Sequence, residues 1–297
     1  MKIIVSSGGL GNQMFFYALY EYFKENEKCY LDISLYDINN CHNGYEIEKI
    51  FPLKIEHIKI YTFKNIFLRI LLKVTKLFLK NIKIIYEEKR DKSALENLND
   101  IKKGRYLFLT GFWGSEKYFV NIKEKLQTLY TFPELNEEKN LEIAKKIKNK
   151  ESVSVHIRRG DYLLPENRVY SELIDFSYYE KAIKIIKESV KKPVFFIFSN
   201  DIEWCKENLK LEEEIYYIDW NKGENSYRDM QLMSMCKHNI IPHSTFSWWG
   251  AWLNQNPNKI VIAPETWFNP KYLEKNINTE DLVPNEWIKI KNYKGKK

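Results

Sequence analysis

The sequence predicts an α/β protein built on parallel sheets and long enough for two domains. The chain has 297 residues, 44% of them hydrophobic and 15% aromatic, which suffices for a core in each domain and excludes global disorder. Short apolar runs alternate with amphipathic stretches along most of the chain, a pattern typical of parallel sheets. Only 11 glycines and 9 prolines occur, which argues against a long flexible linker.

Eight short apolar runs are predicted strands: residues 2–6, 28–32, 106–110, 152–157, 194–199, 215–218, 239–242 and 259–263. Amphipathic patterns predict helices at residues 12–25, 177–190 and 202–209. The charged stretch 137–150 has the pattern of a surface helix. We place the domain boundary there, with an N-terminal domain over 1–145 and a C-terminal domain over 146–297.

The segment 61–80 combines many apolar residues with a basic stripe. Arg69, Lys73, Lys76 and Lys80 fall at helical spacing on one face. The apolar run is far shorter than the roughly 20 residues that span a bilayer. Such a helix can lie on an anionic membrane as a peripheral contact, or pack on the protein's own sheet.

The net charge of +7 and the pI near 8.9 favour anionic partners. Phosphate ligands, anionic lipid and nucleic acid all qualify, although no recognisable nucleic-acid module occurs. The four cysteines are far apart and indicate reduced thiols. The first apolar run is too short for a signal-peptide core and runs into a glycine turn. We therefore expect a cytoplasmic protein.

A glycine-rich turn, residues 8–14 (GGLGNQM), follows the first predicted strand. Glycines allow a tight turn, and the helix that follows offers a partly positive N-terminus to a ligand. Gly11 and Asn12 are the candidate contacts. The turn lacks the lysine of a phosphate-binding Walker loop and the third glycine of the dinucleotide fingerprint. A purely structural turn is the alternative.

A second motif, residues 156–162 (HIRRGDY), ends another predicted strand. It sets Arg158, Arg159 and Asp161 at the carboxyl end of the strand, where α/β sheets bind ligands. Arginine suits a diphosphate because it is permanently charged and donates two hydrogen bonds at once. Asp161 can hold one guanidinium in place. A solvated charged loop is the alternative.

A third motif covers residues 229–253 as helix, short strand, polar turn and helix. Ser244 and Thr245 occupy the predicted helix cap, where hydroxyls and amides can bind phosphate. The tryptophans of the last helix are typical of core packing. Cys236 and two nearby histidines lack a fourth ligand, so we predict no metal site.

Together these motifs resemble glycosyltransferase family eleven, the bacterial and animal α-1,2-fucosyltransferases. Residues 8–17 (GGLGNQMFFY) are similar to the family's opening motif, except that many relatives have Gln in place of Phe16. The other similar segments are 42–46 (HNGYE), 111–119 (GFWGSEKYF), 156–162 and the most specific, 243–253 (HSTFSWWGAWL). The resemblance covers nearly the whole chain apart from 61–99 and the last few residues.

The resemblance implies a GT-B-like fold, with two Rossmann-type domains and the active site in the cleft between them. It implies that the C-terminal domain holds GDP-fucose, with Arg158 at the β-phosphate and both His156 and Asp229 at the guanosine. The full set of implied donor residues is Gly11, Asn12, His156, Arg158, Arg159, Asp229, Ser244, Thr245 and Phe246. The implied acceptor residues are His42, Glu46 and Trp113.

The family resemblance also implies inversion at the anomeric carbon. No two aspartates form the Asp-x-Asp pair that holds a metal in many glycosyltransferases. We therefore expect no metal and no other cofactor, with arginine stabilising the departing GDP. The candidate catalytic residues are Arg158, Glu166 and Asp161. Glu166 matches the spacing of the catalytic glutamate in core α-1,6-fucosyltransferases, and Asp161 and His42 are rival general bases.

The expected function is a galactoside α-1,2-fucosyltransferase that acts in O-antigen or capsule assembly, with a galactose-containing, lipid-linked acceptor. One alternative is transfer of another nucleotide-activated deoxy sugar, such as rhamnose. The others are a non-catalytic carbohydrate-binding protein and a nucleic-acid-binding protein.

Overall fold

A computed structural model describes residues 1–38, 42–59, 85–89, 91–104, 106–164, 167, 169, 170, 173, 176–272 and 279–292. The chain divides into two compact units, Met1–Thr131 and Phe132–Lys297. The boundary lies earlier than the predicted 145/146. The reason is that the helix Glu138–Asn149 packs on the sheet of the second unit. The predicted amphipathic helix over 61–80 lies outside the described residues.

The described part of the first unit contains a parallel sheet whose strands are β1 (Lys2–Val5), β2 (Cys29–Asp32), β3 (His57–Ile58), β4 (Ile85–Glu87) and β5 (Phe108–Thr110). Their order is β3-β2-β1-β5-β4. The helices are α1 (Leu10–Lys24), α2 (Leu35–Ile38), α3 (Ile47–Ile50), α4 (Ala94–Lys103) and α5 (Lys123–Leu129).

The described part of the second unit contains a parallel sheet whose strands are β6 (Glu151–Ile157), β7 (Pro193–Ser199), β8 (Ile215–Ile218), β9 (His238–Ile240), β10 (Val261–Pro264) and β11 (Ile288–Ile290). Their order is β11-β10-β9-β6-β7-β8. The helices are α6 (Glu138–Asn149), α7 (Phe176–Ser189), α8 (Ile202–Asn208), α9 (Tyr227–Met235) and α10 (Thr245–Leu253).

Helices cover both faces of the second sheet. Val155 and Ile197 pack on one face with residues of α7 and α8. Phe196 and Phe198 have the opposite parity and pack with residues of α6 and α9. Strands that are apolar on both faces are typical of a buried parallel sheet. With the parallel sheet of the first unit, this confirms the α/β class and the two Rossmann-type domains.

All eight predicted strands occur, with ends shifted by no more than two residues. The missed strands β3, β4 and β11 have two or three residues each, too few to show a period. Within the described ranges, no helix is long and apolar enough to cross a membrane.

The second sheet reverses its strand order once. The chain passes from β6 outward to β7 and β8, then returns to β9 on the other side of β6. In the described part of the first unit the chain passes from β1 outward to β2 and β3, crosses to β4 at the opposite edge and comes back to β5 beside β1. Ligands of open α/β sheets bind outside the carboxyl ends of the strands at a point of reversal. The topology therefore marks the ends of β6 and β9.

Candidate active site

The second and third motifs lie on the two sides of the reversal point in the second unit. Arg158 directly follows β6, and Ser244 is the N-cap residue of α10, after β9. The two strands pair directly, with Val155 opposite Ile240. The Tyr162 hydroxyl joins the two segments by donating to the carbonyl of His243 at 3.0 Å. The structure thus brings together two segments separated by about eighty residues of sequence.

Helix α10 begins as predicted, with Ser244 at the cap and Thr245 as its first residue. The Ser244 side chain makes no capping hydrogen bond. The partial positive charge of the helix N-terminus suits an anion. The predicted core role of the tryptophans is confirmed, because Trp248 and Trp249 are fully buried and pack edge to face at 4.9 Å.

The two adjacent arginines point to different partners. The Arg158 guanidinium lies 5.5 Å from the ring centre of Tyr162. Arg159 donates from Nε to Asp201 Oδ2 at 3.2 Å, and its guanidinium lies 3.9 Å from the ring centre of Trp204. The amide of Arg159 donates to Asn200 at 3.0 Å. Arg159 is therefore anchored to the end of β7, and its contact with a diphosphate stays a prediction.

The sequence analysis missed the partner of Arg159, because nothing in the sequence links Asp201 to that arginine. The pairing of β6 with β7 brings the ends of these strands together, with Ile157 opposite Ser199. Asp201 also caps α8 by accepting from the amide of Trp204. An aspartate just before a predicted helix was the available signal, and it indicated only a cap.

Asp229 lies in the first turn of α9, at the carboxyl edge of the second sheet. Its Oδ1 accepts from Asn221 Nδ2 at 2.8 Å, and Asn221 is paired with Asn140. Burial raises the pKa of Asp229 to about 7. The Asn221 hydrogen bond opposes this rise in pKa and the charge of Asp219 adds to it. The charge of this carboxyl therefore changes close to neutral pH.

Two further predicted donor residues, His156 and Phe246, lie close to each other in the second unit. His156 is buried, and its ring lies 6.0 Å from that of Phe246. Phe246 packs against the apolar cluster that includes Ile218 of β8 and Leu232 of α9. His156 and Phe246 thus share the sheet face that α9 covers, and Asp229 is on that same helix.

Two of the three predicted catalytic side chains lie outside the described part of the structure. Glu166 lies outside the described residues. Asp161 belongs to the 3-10 turn Gly160–Leu163, but its side chain is outside the described part of the chain. Their roles, including the predicted hold of Asp161 on an arginine, stay predictions.

In the first unit, the glycine turn after β1 is fastened by Gln13. Gly8 has φ +80°, and a Cβ there would lie 2.5 Å from Asn12 Nδ2. The Gln13 amide donates to the carbonyls of Gly8 and Gly44 at 3.1 and 2.8 Å. Its oxygen accepts from the amide of Glu46 at 3.0 Å. This role of Gln13 was missed, because its partners are distant in sequence.

Two predicted acceptor residues lie beside that turn. His42 is exposed, has φ 57°, and its ring lies 3.0 Å from where a Cβ on Gly9 would be. Glu46 is buried, and its carboxylate accepts from Asn43 at 3.0 Å and from the amide of Leu10. Burial raises the pKa of Glu46, against the effect of Asn43. Glu46 thus caps α1, whereas His42 has an exposed surface.

The third predicted acceptor residue, Trp113, is corrected to a core role. Its side chain is fully buried and packs edge to face on Tyr118 at 5.1 Å. Its amide and that of Phe112 both donate to Glu88 at 2.9 Å. The ring therefore has no surface for a sugar in this structure. Glu88, which the sequence did not single out, shapes the loop after β5.

Nearly the whole chain is similar to known glycosyltransferases. The sequence model of glycosyl transferase family 11 matches residues 6–291. The chain is 36% identical over 304 residues to an alpha-1,2-colitosyltransferase of Escherichia coli, covering 98% of this chain and 99% of that protein. It is 31% identical over 321 residues to the O-antigen biosynthesis glycosyltransferase WbnK of Escherichia coli, covering 96% and 98%. A crystal structure of NodZ alpha-1,6-fucosyltransferase soaked with GDP-fucose aligns with TM-score 0.47 at 12% identity, covering 85% and 92%.

Proposed function

The chain belongs to glycosyl transferase family 11, and we propose that it transfers L-fucose from GDP-β-L-fucose to the 2-hydroxyl of a β-galactoside in O-antigen or capsule assembly. One observation carries the donor half of this proposal. Arg158, at the end of β6, lies across the reversal point from the N-terminus of α10. A guanidinium and a helix N-terminus together suit a diphosphate.

The proposed reaction needs positive charge where GDP leaves. The acceptor oxygen attacks the anomeric carbon, the bond to the β-phosphate oxygen breaks, and GDP departs with the electron pair. Arg158 and the first amides of α10 stabilise the charge that develops on the phosphate. The acceptor proton passes to a general base, for which Glu166, Asp161 and His42 are the candidates. Attack from the face opposite GDP inverts the configuration.

We further propose that the reaction needs no metal ion. The support is the lack of an Asp-x-Asp pair in the sequence and the fixed positive charge of Arg158 at the strand end.

Colitose is the second candidate donor sugar, favoured by the 36% identity to the colitosyltransferase. Colitose is fucose without its 3-hydroxyl, so the two donors present the same diphosphate to the protein. A site that hydrogen-bonds the 3-hydroxyl discriminates strongly against the sugar that lacks it, whereas the reverse discrimination is weak. The ratio of the two rates therefore reports whether such a contact exists.

The deciding experiment measures GDP release in excess EDTA from GDP-fucose and GDP-colitose, with and without a panel of β-galactosides. We expect GDP to be released from GDP-fucose only when an acceptor is present. Loss of release in EDTA, restored by Mn²⁺ or Mg²⁺, would overturn the metal-free mechanism. Binding of a GDP-sugar without release on any galactoside would remove the acceptor half of the proposal. No binding of either donor would reject the donor half.

Variants at the arginine pair test the assignment of Arg158. Arg158→Ala should lower kcat by about 10²–10³ without loss of the fold. Arg159→Ala is the matched comparison, since its guanidinium is engaged by Asp201, and Lys184→Ala removes an exposed cation of α7 as a control. Wild-type turnover by Arg158→Ala would refute its role at the diphosphate.

We also propose a lipid-linked acceptor reached from the cytoplasmic face of a membrane. The support is the basic amphipathic pattern of residues 61–80. Flotation with anionic vesicles, compared between the wild type and a variant with Arg69, Lys73, Lys76 and Lys80 changed to Glu, tests it. Equal flotation of both proteins would contradict a membrane role for this segment.

A further inference from the structure

The Arg158 guanidinium lies over the ring of Tyr162, four positions later in the chain. Arg158 leaves β6 at its carboxyl end, and the 3-10 turn Gly160–Leu163 brings the Tyr162 ring back toward it. The distance from the guanidinium carbon to the ring centre is 5.5 Å. At this distance the electron-rich face of a tyrosine attracts a cation and restricts where it can lie.

The Tyr162 ring is itself held in a stack of aromatic side chains. Its centre lies 5.0 Å from the ring of Tyr170 and 5.0 Å from that of His243, with interplanar angles of 16° and 25°. His243 is buried, and its Nε2 lies 3.0 Å from the carbonyl of Tyr170. Burial lowers the pKa of His243 to about 4. The imidazole is therefore neutral at physiological pH and places no second positive charge against the Tyr162 ring.

The Tyr162 hydroxyl connects the two sides of the reversal point. It donates to the carbonyl of His243 at 3.0 Å, and His243 directly precedes the cap residue of α10. The Tyr162 side chain thus contacts Arg158, which follows β6, and is hydrogen-bonded to the turn that follows β9. This link fixes the Arg158 side of the anion site relative to the N-terminus of α10.

We propose that Tyr162 is a positioning residue of the diphosphate site, with its ring orienting the Arg158 guanidinium and its hydroxyl fixing that ring to the turn before α10. This inference rests on the proposed function, because it takes a GDP diphosphate as the anion. Tyr162 itself need not touch the nucleotide. Its effect on binding therefore passes through Arg158.

The test is calorimetric titration of the full-length protein with GDP, using Tyr162→Leu and Tyr162→Phe. Loss of the ring in Tyr162→Leu should weaken GDP binding by about three- to thirtyfold, the range expected for a cation held on an aromatic face. Tyr162→Phe keeps the ring and should weaken binding by only about two- to threefold. Tyr216→Leu is the matched control. The Lys146 ammonium lies 4.6 Å from the centre of the Tyr216 ring, so this variant also removes a ring that faces a cation, but on the edge strand β8.

A double-mutant cycle distinguishes positioning from a general structural role. In an Arg158→Gln background, Tyr162→Leu should have little further effect on GDP affinity, because the cation it orients is gone. Equal effects in both backgrounds, or no effect in either, would overturn the inference. If Tyr162→Leu does not fold, Tyr162→Phe carries the test, and wild-type GDP affinity in that variant would refute the role of the hydroxyl. Absence of GDP binding by the wild type would reject the proposed function instead.

Discussion

We predict that the raised pKa of Asp229 makes the binding of GDP dependent on pH. If Asp229 accepts hydrogen bonds from the guanine edge, only its ionised form binds well. With a pKa of about 7, about one tenth of the carboxyl is ionised at pH 6 in the free protein. The dissociation constant of GDP should then be about elevenfold higher at pH 6 than for the fully ionised site, and nearly unchanged above pH 8.

Asp229→Asn is the variant that isolates this effect. The amide oxygen can still accept from Asn221, which lies 2.8 Å from Oδ1 in the wild type, so the local packing is retained. Loss of the charge-assisted bonds should weaken GDP binding by about 10- to 150-fold at pH 8. The variant should also lose the dependence on the ionisation of residue 229.

The assay is GDP titration by calorimetry from pH 5.5 to 8.5, in buffers of different ionisation enthalpy to count protons. The GDP phosphate itself titrates near pH 6, so the ratio of wild-type to variant affinity is the informative quantity. His243 does not contribute, since its pKa of about 4 lies below this range. A ratio that stays constant across the series would refute the assignment of Asp229 to the guanosine.

The same pKa has a consequence for stability. The folded-state pKa of about 7 lies above the ordinary value of 3.8, so the folded protein holds this proton more tightly than the unfolded chain does. The stabilisation from the protonated form is complete below about pH 4 and is lost as the pH rises through 7. Asp229→Asn should therefore melt at a higher temperature than the wild type at pH 8, with the difference shrinking toward pH 4.

Two further substitutions test how much a buried hydrogen-bond network inside each unit contributes to stability. Arg228 is buried and donates to Glu137, Asn136, Gln231 and the carbonyl of Pro133. Because Glu137 is partly exposed, Arg228→Met should lower the free energy of unfolding by about 1–3 kcal/mol in urea titrations. A change below about 1 kcal/mol would contradict this network's importance. Gln13→Leu removes the side-chain partner of the backbone groups at Gly8, Gly44 and Glu46 in the first unit and should cost about 3–5 kcal/mol by the same measurement.

Motif residues at strand ends were predictable because short apolar runs are visible in a linear sequence. Arg158 and Ser244 were both expected at the carboxyl ends of strands, and both are there. Asp201 and Glu88 were not expected, because a single carboxylate in a loop looks like a solvated charge. Their partners, Arg159 and the amides around Trp113, are brought to them by strand pairing.

The three predicted acceptor residues differ in burial, and their spacing along the chain does not show this difference. His42 is exposed, Glu46 caps a helix and Trp113 is inside the core. A motif fixes which side chains are close in sequence, but the left-handed backbone at His42 and Trp113 decides where each one points.

The linear sequence alone determined the α/β class, the positions of the main strands and the family, because hydrophobic period and motif order are local properties. The sheet order was decided only by tertiary packing, in which β9 returns to the side of β6. That return joins Arg158 to the start of α10 through Tyr162. The raised pKa of Asp229 likewise needed the folded chain, because desolvation depends on neighbours that are distant in sequence.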